Sequence, residues 1–437
     1  MTMVLVAIAM VAIIAMAALS IDVVTLYLAK EEAQRSADAA ALGAARVLSL
    51  SGVTGDPQNA TSHWQAACTA ATQVAQALAN QNTVSNAAAT TVNVNFLYNG
   101  TDMGNCTFTG ANAFGVNPQV KVQVIRSALP TFFSRIWSQN TNSVSGTATA
   151  EAFNSSGSGT FAPNGIVPVN PRCVKPWVIP NRDPGNGGNT FVNLSDGSIT
   201  NPGIQVNGAG TGVIGESFAF VSDCRTGNPN CKSGAGNLID NPPSYNRPSQ
   251  GPGLTLDYVP ALISGTDAVA VPGCATNDYQ GAIAGCDQST VYACGIVGGG
   301  AQADLTFNPG KSSGDTATAT QCLIHQSTGQ DVLDTTVFPF RIQSGLGNPV
   351  ITNALITSSN SIVTVPIFDD TQGAFAVNQP PVNIVGFLQV FINGLDTTSG
   401  KVNVTVLNVA GCSNTATTST PTVSGTSAVP IRLITAQ

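Results

Sequence analysis

The chain has 437 residues, and only 9% of them are charged: 16 Lys and Arg stand against 23 Asp and Glu, for a net charge of −7. Soluble proteins average about 25% charged residues. A basic nucleic-acid-binding face is excluded, because the few lysines and arginines are scattered along the chain. Charge-driven disorder is excluded too, because 43% of the residues are hydrophobic. The polar surface must therefore be built from Asn, Ser, Thr, Gln and Gly, a composition suited to a periplasmic or extracellular protein. The length allows two or three domains of about 100–200 residues each.

The first predicted element is a helix. Every residue from Met3 to Leu19 is apolar, and at 1.5 Å per residue this run spans roughly 26 Å, close to the hydrocarbon thickness of a bilayer. Met3, Leu5, Val6, Ile8, Val11, Ile13, Ile14 and Leu19 are the expected anchor side chains. Asp22 is the first charge and falls where the helix would leave the hydrocarbon. No breaker follows, since residues 23–50 are mostly good helix formers until Ser51-Gly52. Residues 1–51 are thus expected to form one long helix that starts in the membrane and projects into water. Its polar half carries Ala29, Ala33, Ala37, Ala41 and Ala45 every fourth residue. Such a stripe lets another backbone approach closely. A cleaved secretory leader is the competing reading, but no basic segment precedes the apolar run, and the helical pattern continues through the small residues around Met16–Ala18.

Residues 52–153 read as a small α/β unit. Trp64, Ala67, Cys68, Ala71, Val74, Ala75 and Leu78 recur with helical spacing between His63 and Asn80, which predicts an amphipathic helix folding back on the alanine stripe. Alternation predicts strands over Thr91–Tyr98, Gln119–Ile125 and Ser143–Phe153. A short helix opened by Pro130 is expected over Leu129–Trp137. Cys68 and Cys106 are placed for a local bridge.

The Ile21-Asp22 step, Tyr27-Leu28-Ala29, and the block from Glu32 to Ala45, with Lys30, Gln34 and Asp38, resemble the TadE/TadG-like family of Flp (tight-adherence) pilus assembly. Pro130-Thr131-Phe132-Phe133 and the strand at 144–152 add to the resemblance, which covers about residues 3–153. It implies a pilin-like helix that anchors in the inner membrane or joins a filament. The implied partners are the membrane and other pilus subunits or copies of this chain.

Asn154–Gly159 reads as a flexible boundary. Residues 165–437 show short apolar runs separated by Gly, Pro and Asn clusters, and predict a loop-rich all-β domain, a sandwich or an irregular set of sheets. The whole chain is thus expected to be α+β. Cys173, Cys224, Cys231, Cys274, Cys286, Cys294, Cys322 and Cys412 lie in this part. No pair has zinc-knuckle spacing, and an even count suits disulfides made outside the cytosol. Cys173 and Cys412 are expected to clip the edges of the domain, and the 274–322 group to staple loops.

The Asn/Asp/Gly-rich loops at 181–189 and 223–237 have the composition of calcium loops, although turn chemistry favours the same residues. Asp196-Gly197-Ser198-Ile199-Thr200 has the spacing of a metal-dependent adhesion motif without the buried strand that should lead into it. His63 and His325 are expected to be structural, and neither falls in a nucleophile elbow. The resulting expectation is a non-enzymatic, cofactor-free membrane or filament component, exposed at the inner membrane or cell surface. Its β module would contact other subunits, a surface or an envelope polymer. The alternative is a secreted surface enzyme or carbohydrate binder with a processed leader.

Overall fold

The computed structural model describes residues 2–56, 61–98, 101–104, 106–107, 117–131, 141–156, 167–222, 253–263, 273–286, 290, 292, 294, 305–308, 311, 313–372, 382–412 and 422–434. Helix α1 runs unbroken from Thr2 to Leu50. It stops at Gly52, whose φ of 74° is the left-handed conformation that closes helices. A Cβ there would lie 2.6 Å from the Leu407 carbonyl oxygen, so a close approach also demands glycine. Helix α2, Thr61–Gln81, returns against α1 as the amphipathic period predicts.

The two helices cover one layer of a five-stranded antiparallel sheet. In chain order its strands are β1 (Thr91–Tyr98), β2 (Thr101–Asp102), β3 (Gln119–Pro130), β4 (Thr141–Ala152) and, from the far end of the chain, β17 (Ile431–Ile434); across the sheet the order is β17-β4-β3-β1-β2. Val120, Val122 and Val124 of β3 and Ala148, Ala150 and Ala152 of β4 are buried, while Lys121 and Gln123 are not. The alternation thus turns the apolar face toward the helices.

The helix expected from Leu129 does not begin there. Leu129 and Pro130 belong to β3 and pair with Asn142 and Thr141. The register shifts between Arg126 and Leu129, where Ala128 has a φ of 56°. This bulge puts Leu129 out of phase with the preceding alternation, which is why the segment does not read as strand. Residues 132–140 lie outside the described residues.

The larger part holds a sheet that closes on itself. Strands β6 (Trp177–Pro180), β13 (Ile362–Phe368), β14 (Ile384–Asp396), β15 (Lys401–Gly411), β7 (Ser217–Ser222) and β8 (Thr255–Leu262) follow in that order, and β8 pairs with β6 as well as with β7. The pairs β6–β13 and β7–β8 are parallel, and the others around the ring are antiparallel. A mixed six-stranded barrel results, where a sandwich or irregular sheets are predicted. Trp177, Phe220 and Tyr258, from three neighbouring strands, meet with ring centroids 6.0–6.5 Å apart.

Strand β9 (Thr306–Phe307) extends β8, β5 (Val169–Pro171) pairs with β16 (Val423–Gly425), and β10 (Val332–Asp334), β11 (Arg341–Gln343) and β12 (Leu355–Ile356) form a separate small sheet. The part is not all-β. Helix α3 (Asp278–Ala284), N-capped by Asn277, and helix α4 (Ser313–Leu323) pack together. Both are too short to show a clear helical period in sequence.

Among the described residues four disulfides join Cys68–Cys106, Cys173–Cys286, Cys274–Cys322 and Cys294–Cys412. The expected Cys173–Cys412 clip is corrected: Cys173 pairs with Cys286 and Cys412 with Cys294, and Lys175, two residues after Cys173, bonds the Ile283 and Gly285 carbonyls and so holds that segment at the end of α3 beside Cys286. Cys224 and Cys231 lie outside the described residues.

One buried core runs from the alanines of α1 through both sheets. Asn154 and Ser155, which read as linker, are fully buried. Asn154 Nδ2 donates to the Val409 carbonyl at 2.9 Å, and Ser155 Oγ to that of Gly411 at 2.9 Å. Asn408 Nδ2 donates to the Ser49 carbonyl at 2.9 Å and so ties the end of α1 to β15.

Candidate functional site

The candidate site is the long helix itself, which has two halves of opposite character. Met3, Leu5, Val6, Ile8, Val11, Ile13, Ile14 and Leu19 all face outward, Met3 being 89% exposed. The segment is long and apolar enough to cross a membrane. Exposed apolar side chains continue through Ile21, Val23, Val24, Tyr27 and Leu28. Tyr27 stands where aromatic residues favour the boundary between lipid and water.

Burial begins on one face before the apolar run ends. Ala18, Asp22 and Ala29 are buried and Leu26 is partly so. This spacing marks a single helical stripe. Asp22 is only 4% exposed, so its side chain lies on the protein side of the helix and not at an outer water boundary. The face left open around it is apolar.

The polar half is seated within the chain. Ala29, Ala33, Ala37, Ala41 and Ala45 are buried together with Ala40 and Ala44. The stripe brings the helix backbone directly onto β4: a Cβ on Gly146 would lie 2.4 Å from the Ala33 carbonyl carbon and oxygen. Small residues on both surfaces permit this approach. The backbone that meets the stripe at Ala33 is this chain's own strand.

Polar side chains fix the seat. Gln34 Nε2 donates to the Thr147 carbonyl at 2.9 Å, and Gln34 Oε1 accepts from the Thr147 amide at 3.2 Å. The side chain thus bonds to β4 as a neighbouring strand would. Asp38 Oδ1 accepts from the same Gln34 amide at 2.8 Å and orients it. Glu32 Oε2 accepts from the Ser85 amide at 2.6 Å, and Ser36 Oγ donates to the Ala79 carbonyl at the end of α2 at 3.2 Å. Sequence reading missed Glu32, Ser36 and Gly146, since their partners lie far along the chain.

The other sequence motifs resolve as local structure. Asp183, in the first Asn/Asp-rich loop, is buried, and its Oδ1 accepts from the Gly185 and Asn186 amides. It lies beside buried Glu216, and desolvation together with the like charge pushes the pair's titration above the usual carboxylate range. Asp196 Oδ1 accepts from the amide and hydroxyl of Ser198, closing its own turn. Among the described residues no cluster of three or more His, Cys, Asp or Glu could hold a metal. The 223–237 loop lies outside them. His63 sits 4.6 Å from the Phe338 ring and 4.0 Å from Asp56; burial lowers its pKa. His325 lies 3.4 Å from Asn360.

Residues 1–47 match the model of the family described as Flp pilus-assembly TadE/G-like. The match ends within the last turn of α1 and includes Asp22, Gln34 and Asp38. No curated protein and no solved structure matches the chain.

Proposed function

We propose that the chain is a membrane-anchored or filament-incorporated component of a tight-adherence pilus system, with a barrel-containing module held outside the membrane. The observation that carries this reading is the division of α1 within its family-matching segment. Its first half is an outward-facing apolar rod, and its second half is bolted into the folded domain by the alanine stripe and the Gln34–Thr147 pair. A helix built this way transmits the position of a membrane or filament anchor rigidly to the domain. In this reading α1 lies in the inner membrane with the domain on the periplasmic side, or packs among other pilus subunits. The low-charge exterior, rich in Asn, Thr and Ser, offers a surface to other subunits, a host surface or an envelope polymer.

Fractionation tests the anchor. The full chain should sediment with membranes and resist extraction by high salt, whereas a chain lacking residues 1–17 should stay in the soluble fraction. Retention of that truncated chain in the membrane would overturn the anchor. Imaging of shear-released filaments separates the two placements: labelling along the filament marks a subunit, and its absence from filaments marks an anchored accessory protein.

A further inference from the structure

Arg46 lies at the end of the family-matching segment and takes no part in the seat. Its guanidinium is largely desolvated by burial, which lowers its pKa, and among the described residues it has no ion partner. It opens onto a cavity of about 350 Å³ between α1, β13, β14 and the loop that carries Cys286.

Gln389 of β14 lines the same cavity. It is 1% exposed, and neither its Oε1 nor its Nε2 has a hydrogen-bond partner. Lys175 lines the wall, its Nζ donating to the Ile283 and Gly285 carbonyls at 2.6 and 2.7 Å. Thr364, Thr426 and Ser427 add hydroxyls, and exposed Thr426 stands at the rim. No carboxylate occurs among the described lining residues.

A half-buried guanidinium without an ion partner and a buried amide without any partner thus meet at one cavity among the described residues, and they complement one kind of ligand. Each unmet polar group is costly, and an unmet charge more so. Folds keep such groups where something else supplies the partner. A guanidinium offers a planar fork that fits a carboxylate. A free amide offers two donors and two acceptor lone pairs, which suits a ligand's hydroxyls. The volume is at the lower end of small-molecule sites, which run from about 300 to 1,000 Å³, enough for one sugar-sized ligand.

We propose that this cavity binds a sugar acid, with the ligand carboxylate on Arg46 and its hydroxyls on Gln389 and the lining threonines and serine. The site does not depend on the pilus reading, and its failure would leave the membrane anchor untouched.

Calorimetry on the full chain in detergent micelles tests it, with D-glucuronate as probe and D-glucose and inorganic phosphate as controls. Glucuronate should bind, the Arg46→Met chain should bind it at least tenfold more weakly, and both controls should bind at least tenfold more weakly than glucuronate. Gln389→Leu removes an unpaired buried amide and should fold at least as well as the parent. It carries the test if Arg46→Met does not fold, with binding weakened at least fivefold. Absence of glucuronate binding, equal binding by a folded variant, or phosphate binding as tight as the uronate would each overturn the assignment.

Discussion

At Gly146 the absence of a side chain sets how closely β4 and α1 approach. A methyl there would collide with the Ala33 backbone, and backbone cannot swing aside as a side chain can. Gly146→Ala should therefore destabilise the chain by about 1–3 kcal/mol, read from urea midpoints. Gln34→Ala removes both bonds to Thr147 and should cost about 1–2 kcal/mol.

Lys175 gives a pH signature. Burial pushes its amine from 10.5 down to about 7, so the folded state disfavours the charged form. Its contribution to stability is full above pH 10.5. It is lost as pH falls toward about 7, because the unfolded chain takes up the proton first, and it is flat below that. Lys175→Met should abolish the fall in denaturant midpoint between pH 10 and pH 7; a slope identical to the parent's would contradict this. Gln34 and Asp38 stand out in the sequence as part of a pattern, yet the purpose of the pattern does not: Thr147 is 113 residues from Gln34. Arg46 and Gln389 carry no sequence signal, because only the fold brings α1 and β14 to one cavity.

Among the elements, α1 was the most legible, because an uninterrupted apolar run followed by helix formers leaves no competing structure. Helix α2, β1 and the cores of β3 and β4 also follow their periods, since each turns one apolar face toward the layer it packs on. The barrel was not legible. Its closing pair, β6–β8, joins residues about 80 positions apart, and two of its contacts are parallel, so no hairpin turn announces them. The bulge in β3 hid that strand's continuation.

The structure also sharpens where the anchor can be removed. Ala18, Asp22 and Ala29 already lie on the covered face. Deleting residues 1–17 should leave the melting temperature unchanged, whereas deleting residues 1–28 strips part of that face and should lower it by several degrees. Equal melting temperatures would show that residues 18–28 add nothing to the fold.

Across the whole molecule, two parts that read as separate in sequence are stitched together. The chain's last described strand, β17, completes the first sheet beside β4, and Arg432 of that strand pairs with Glu151 and lies 5.2 Å over the Phe153 ring. Buried Asn154 and Asn408 hold the helix end to the barrel. Buried hydrogen bonds therefore tie the end of α1 and the segment after β4 directly to β15 of the barrel. The 9% charge suits this design: an apolar rod at one end, and a neutral exterior braced by disulfides at the other.

If α1 is an anchor, the apolar rod stays on the working protein. Mass spectrometry of the native chain, extracted from membranes with detergent, tests it most directly. Peptides spanning Met3–Leu19 should be recovered from the membrane-bound chain. A native protein found only in the soluble fraction, beginning between Leu19 and Asp22, would contradict it.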